Sequence, residues 1–246
     1  IVYGSHAAAD DLCGATIVAD VKLDHDLTCV ANGLIVGANG IKLNLNGHTI
    51  TGPGTGVGIS VMGRSDVSIK GGTVRNFMTG VLITNSTGTV VHDSELADNV
   101  DGIDVQAGSV GNTIKANHFQ GNRTRGIMLR GGTSATVVKD NTFAANRVGI
   151  LLFGPVATTV KVNVVSSSTL AGIRLNVLAT DDLIADNTIT SNPAGIEFLV
   201  TPTGSAIGNT LRENTLALNV CALKGPLDGN TLIENVFQGN GSNSCP

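Results

Sequence analysis

Apolar and polar residues alternate in short runs along most of this 246-residue chain, and the runs return at a fixed interval. Residues 136–139, 142–144 and 149–153 form one set of three. Each alternates with period two, the pattern of a strand with one buried face. A Gly-Ile or Gly-Val step marks every return. It falls at Gly58, Gly80, Gly102, Gly126, Gly149, Gly172 and Gly195, at intervals of 22, 22, 24, 23, 23 and 23 residues. Such a period defines a repeat architecture. Three strands per repeat, all wound the same way, predict an all-β, single-stranded parallel β-helix of about ten coils, each coil ~4.8 Å above the last.

A second ladder supports the same winding. Asn117, Asn141, Asn163, Asn187, Asn214 and Asn235 each sit between two alternating runs. Stacked asparagines can bond to one another and to the turn backbone, because the amide both donates and accepts. These six side chains are therefore expected inside, in one file. Glycine at each Gly-Ile step suits a corner where a side chain would clash or where φ must be positive.

Composition narrows the picture. Aromatic residues are 3% of the chain and glycine contributes 32 residues, which fits a thin aliphatic core with frequent corners. Net charge is -4, so no overall bias toward nucleic acid exists. No apolar run approaches the ~18 residues of a membrane span. Residues 1–12 read as a lead-in, either a tag or the remnant of an export signal, and 13–246 as one β-helix domain. Cys13 and Cys29 lie near the start, Cys221 and Cys245 at the end. Pairing 13 with 29 and 221 with 245 would staple both ends, the second pair being about one coil apart. Disulfides imply an oxidising compartment, hence a secreted or extracytoplasmic protein.

The Gly-Ile step, the Asn file, the coil length and the stretch Leu43-Asn-Leu-Asn-Gly-His-Thr-Ile-Thr51 resemble the right-handed parallel β-helix superfamily, the pectate-lyase-like fold, over residues 34–240. The resemblance implies right-handed winding and a ligand surface on the sheet that follows Gly-Ile, here called the first sheet. That fold hosts lyases, hydrolases, epimerases and adhesins, so it does not set the activity.

Alternation points Ile103 inward and Asp104 and Gln106 outward. One outward file reads Ser60, Leu82, Asp104, Met128, Leu151, Arg174, Glu197. The next reads Met62, Thr84, Gln106, Arg130, Phe153, Asn176, Leu199. Arg174 should reach Glu197 on the next coil, and Arg130 is diagonal to Asp104. Asn99-Val-Asp101-Gly-Ile-Asp104 is similar to the aspartate-bearing stretch of polygalacturonases. The next coil, Arg123-Thr-Arg-Gly-Ile-Met-Leu-Arg130, lacks the further carboxylates of that family, and its Gly-His-Gly and Arg-Ile-Lys motifs are missing too.

The catalytic candidates are Asp104, Asp101 and Arg130. The substrate-binding candidates are Arg174, Asn176, Glu197, Met128 and Phe153. Lyase chemistry needs a base for the proton α to a uronate carboxyl and a cation to neutralise that carboxylate. Only Asp101 and Asp104 converge, too few acids for a calcium site, so no metal and no cofactor is expected. Two functions follow. The first is a secreted lyase or hydrolase acting on an acidic polysaccharide at the first sheet. The alternative is a non-catalytic extracellular structural, filament or binding β-helix. It would use the apolar patch of Met128, Leu151 and Phe153, which could also serve self-association.

A basic file crosses the second sheet: Lys70, His92, Lys115, Lys139, Lys161, then Ala185 and Arg212. It reads either as a solvated face that deters aggregation or as a track for an anionic polymer. His48 is expected as a buried corner residue. His118 is expected to point outward with no carboxylate near it.

Overall fold

The computed structural model describes residues 12–176, 178–200 and 204–246, together with the backbone of the strand Val2–Tyr3. The remainder of the 1–12 lead-in lies outside the described residues. The chain winds into three parallel sheets of 12, 10 and 10 strands. It is a right-handed parallel β-helix of about ten coils with three strands per coil, and no helix interrupts the described residues. Within one coil, the strand Val137–Lys139 belongs to the second sheet, Thr142–Ala144 to the third and Val148–Phe153 to the first.

Register converts the sequence period into files. Ile59, Val81, Ile103, Ile127, Ile150, Ile173 and Ile196 pair coil to coil on the first sheet, and all are buried. Phenylalanine also enters the core on the third sheet. Phe119 and Phe143 stack there with ring centroids 4.6 Å apart. Neither alternate register would keep these side chains inside, since a one-residue slip turns every one of them to water.

The glycine steps owe their place to a close approach. A Cβ on Gly149 would lie 2.6 Å from the Gly172 carbonyl oxygen and 2.6 Å from Val165 Cγ1. Gly80, Gly102, Gly126 and Gly172 meet the next coil's carbonyl in the same way. The left-handed corners instead fall on the residue before each ladder asparagine. Ala116, Asp140, Val162, Asp186, Glu213 and Glu234 all have φ between 49° and 56°. The sequence left both explanations open for the Gly-Ile step, and crowding is the one that holds.

The predicted asparagine file is present. Asn117 N–H donates to Asn141 Oδ1 at 2.9 Å, Asn141 Nδ2 donates to Asn163 Oδ1 at 3.0 Å, and the pattern runs on through Asn187, Asn214 and Asn235. Each Nδ2 also bonds a carbonyl of the preceding coil, as Asn141 does with Ile114. Two further files do the same work at the other corners. One holds Asn99, Asn122, Asn146, Asn192, Asn219 and Asn240, with Ser168 in the gap. The other includes Asn112, Asp182, Asn209 and Asn230. Both expected disulfides form, Cys13–Cys29 with Cα atoms 5.4 Å apart and Cys221–Cys245 with 6.2 Å.

Candidate functional site

The outward face of the first sheet carries four ion pairs made to three buried acids, Asp101, Asp104 and Glu197. Asp101 and Arg125 occupy matching positions on adjacent coils, each just before a Gly-Ile step. Arg125 Nη1 donates to both Asp101 oxygens at 3.1 Å. Arg130, one coil up and two residues along from the level of Asp104, reaches back over it. Its Nε meets Asp104 Oδ1 at 2.9 Å and its Nη2 meets Oδ2 at 3.0 Å. Gln106 Nε2 adds a bond to Oδ2 at 2.9 Å. Asp104 therefore projects outward yet is only 3% exposed. A carboxylate with three donors already on it is poorly placed to take a proton from a substrate.

Asp101 differs. Burial pushes its carboxyl above the ordinary aspartate range, against the pull of Arg125, and the nearby Asp104 charge adds to the rise. The Arg130 guanidinium, held by Asp104, is pushed above its usual value.

Further along the face, Arg174 Nε donates to Glu197 Oε2 at 2.6 Å, as the file predicts, and Lys224 Nζ reaches Glu197 Oε1 at 3.1 Å. Glu197 is buried by these partners and so serves as their anchor. Met128 and Leu151 are also covered. They pack with Val148 and Leu170 into a small apolar cluster outside the main core. Phe153 stays 45% exposed.

Between these groups lies a pocket of ≈ 200 Å³. Its floor is Met128, Val148, Leu151 and Phe153, its rim Arg125, Arg147, Arg174 and Asn176. Arg125 belongs to both the pocket and the Asp101 pair. Arg174 and Asn176 join the pocket as the sequence suggested, whereas Asp101, Asp104, Arg130 and Glu197 stand outside its lining. Arg125 and Arg147 were not picked out from the sequence. Arg147 is exposed, and no carboxylate is paired with it among the described residues. Its signal in the sequence was its place two residues before Gly149, at a corner where strict alternation no longer says which way a side chain turns.

Two histidine expectations change. His48 is half-buried, with Nδ1 3.3 Å from Asp26 Oδ1. His118 has an acidic residue as its neighbour in register, Glu95 on the preceding coil, whose carboxylate accepts from Thr73 Oγ1 at 3.0 Å. His118, Glu95, Asp93 and Asp140 border a groove at the corner between the second and third sheets.

The class is thus a right-handed parallel β-helix protein whose first sheet carries a cationic pocket beside a pair of arginine-bound aspartates. Residues 39–244 match the NosD family, described as periplasmic copper-binding protein, and the chain belongs to that family. No curated protein matches it in sequence. Three similar structures share the fold. The Azotobacter vinelandii mannuronan C-5 epimerase AlgE4 A-module is 16% identical with a TM-score of 0.58, over 94% of this chain and 89% of that one. The periplasmic alginate epimerase AlgG is 15% identical with a TM-score of 0.69, over 96% and 64%. The tailspike protein of E. coli bacteriophage HK620, a mutant in complex with a pentasaccharide, is 12% identical with a TM-score of 0.70, over 94% and 51%. This chain thus spans about half of the tailspike chain. The family is periplasmic, and the two disulfides agree with an extracytoplasmic location. No helix is long and apolar enough to cross a membrane among the described residues.

Copper in the family's description calls for imidazole, thiolate or thioether ligands in one place. All four cysteines are in disulfides, and among the described residues no group of three or more His, Cys, Asp or Glu is arranged to hold a metal. The described residues do not fit a copper centre built on imidazole or thiolate ligands.

Proposed function

We propose that this protein binds an acidic polysaccharide outside the cytoplasm, across the first sheet, with the pocket as the seat of one uronate unit. Arg147 carries this reading: it is an exposed guanidinium with no internal carboxylate, set beside an apolar floor and between two arginines whose charges are already matched. A guanidinium offers a planar fork to a carboxylate. Phe153 and Leu151 offer the apolar face of a sugar ring something to rest on. Arg125 and Arg174 are held in place by Asp101 and Glu197, so little ordering entropy is lost on binding.

A lyase or hydrolase step is the second reading, and the buried Asp101 carboxyl favours it. It is linked to the pocket through Arg125 and is bonded by one guanidinium nitrogen only. In a lyase step, Asp101 would accept the proton from the carbon α to the uronate carboxyl. The bond to the leaving glycosidic oxygen would break, a C=C bond would form, and solvent would protonate the leaving oxygen. Asp104 and Arg130 would then position Asp101 and its strand.

The test is calorimetric titration with oligouronates, run beside an assay for the ultraviolet absorbance of unsaturated uronates. Binding of a charged oligosaccharide, lost on reduction of its carboxyls and lost in Arg147→Ala, supports the pocket. Equal affinity for the charged and the carboxyl-reduced sugar would overturn it.

A further inference from the structure

The second sheet carries a file whose charges alternate by coil. In register it runs Lys22, Asn44, Lys70, His92, Lys115, Lys139, Lys161. Lys22, Lys70, Lys115 and Lys161 occupy every second coil. None of the four is in an ion pair among the described residues. The coils between them are neutral or locally matched: Asn44 is uncharged, His92 Nδ1 lies 2.7 Å from Asp93 Oδ2, and Lys139 Nζ lies 3.7 Å from Asp140 Oδ2. After Lys161 the file loses its free cations, with Ala185 next and then Arg212, which is 3.7 Å from Glu213.

Four lysines with no ion pair among the described residues therefore stand in one file, with backbone positions about 9.6 Å apart and about 29 Å end to end, at ~4.8 Å per coil. At that separation their mutual repulsion is largely screened, since the Debye length is ~8 Å at physiological salt. Each is left available to a ligand. A solvated face kept basic only to deter aggregation would have no reason to neutralise every second rung.

We propose that this row is a second glycan-binding surface, taking an extended anionic polysaccharide laid along the solenoid axis with one acid group per disaccharide. In an extended glycan with alternating ring orientation, acid groups on one side recur once every two sugars, a length close to two coils. Duplex DNA fits worse, because along its axis the phosphates of each strand recur every ~3.4 Å. The proposal does not rest on the first-sheet pocket, which lies on a different sheet and uses guanidinium groups.

The probe is an octasaccharide of alternating glucuronate and N-acetylglucosamine, with its carboxyl-reduced form and a form sulfated once per disaccharide as comparators. Titrations are run at low and at physiological salt. The unmodified protein should bind the glucuronate or the sulfated form, not the reduced one, and affinity should fall steeply with salt as counterions are released. The quadruple variant K22Q/K70Q/K115Q/K161Q should lose about tenfold or more in affinity. Lys139→Gln, on an intervening matched coil, should stay within about twofold. The same lysine dependence should hold in an Arg147→Ala background, where the first-sheet pocket no longer contributes, and this separates the row from the pocket. The pairs K22Q/K70Q and K115Q/K161Q, each checked by thermal melting, should each lose part of the affinity, so misfolding of the quadruple variant cannot account for the result. The proposal is overturned if the octasaccharide does not bind, if the quadruple variant binds as the parent does, or if Lys139→Gln costs as much as Lys115→Gln. Lysine-dependent binding to anionic phospholipid vesicles with none to the octasaccharide would make the row a membrane contact and equally overturn it.

Discussion

Asp182 accepts the Thr158 backbone N–H on Oδ1 at 2.7 Å, while its other oxygen is buried without a hydrogen-bond partner. It stands in a file where the next two coils place Asn209 and Asn230, whose amide nitrogens donate to carbonyls of the preceding coil. A carboxylate cannot donate in that way; a protonated acid can. Burial accordingly pushes the Asp182 carboxyl up to about 7. The folded state holds this proton above the ordinary aspartate range of ~3.9. The stabilisation is therefore full below that range and is lost as pH rises through about 7. Asp182→Asn supplies the missing donor permanently. Its melting temperature at pH 8 should exceed the parent's by roughly 2–8 °C, the scale of one buried unsatisfied group. At pH 5 the gap should shrink. Equal shifts at both pH values would show that Asp182 does not titrate in this range.

Val162 has φ of 55° and half of its side chain is exposed. The left-handed conformation costs an L-residue ~1–2 kcal/mol, and more when it is β-branched. Asparagine tolerates it, so Val162→Asn should stabilise by about 1 kcal/mol, read as a higher denaturant midpoint with an unchanged slope. A lower midpoint would mean that Val162 packing outweighs the backbone cost.

Gly149 and Gly131 make a matched pair. A Cβ at Gly149 meets backbone at 2.6 Å, and one at Gly131 meets nothing closer than 3.6 Å. Gly149→Ala should cost about 2 kcal/mol or more, because the contact is with a carbonyl that cannot move without breaking the ladder. Gly131→Ala should stay within about 0.5 kcal/mol. Similar melting curves for the two variants would refute the crowding account of the Gly-Ile step.

What the sequence disclosed tracks how strictly each feature obeys the period. The Ile59–Ile196 file and the ladder from Asn117 to Asn235 recur unbroken, so both were legible, and both place their side chains as expected. The other two ladders were hidden by substitutions that keep the corner but change the letter: Ser168 in one, Thr158 and Asp182 in the other. The pairing of Arg174 with Glu197 was legible because it is a same-file contact. The pocket was not, because Arg125 and Arg147 sit at corners, where alternation stops assigning direction. The covering of Asp104 was equally hidden. It depends on how far Arg130 bends back, which register alone does not fix.

Arg147 and Arg130 separate recognition from scaffolding. Arg130 bonds Asp104 with two nitrogens, and Asp104 is 3% exposed. Arg130→Ala leaves that carboxylate covered with Gln106 as its remaining side-chain donor. The cost should be roughly 1–2 kcal/mol, toward the low end for a charge pair because the Arg130 side chain is itself 41% exposed and partly screened. Arg147 has no such partner, so Arg147→Ala should leave the melting temperature within about 1–2 °C of the parent's. Its effect should fall on ligand. Loss of one charge-assisted bond to a uronate carboxylate is worth about 1.5–3 kcal/mol, or roughly 10- to 150-fold in affinity. Arg147→Lys should recover only part of it, since an ammonium cannot make the two-pronged contact. The two variants thus give opposite signatures, stability without affinity for Arg130 and affinity without stability for Arg147. If Arg147→Ala binds oligouronate as tightly as the parent and Arg130→Ala does not, the seat of recognition moves from the pocket to the Asp104–Arg130 pair, and the reading of the first sheet given above fails.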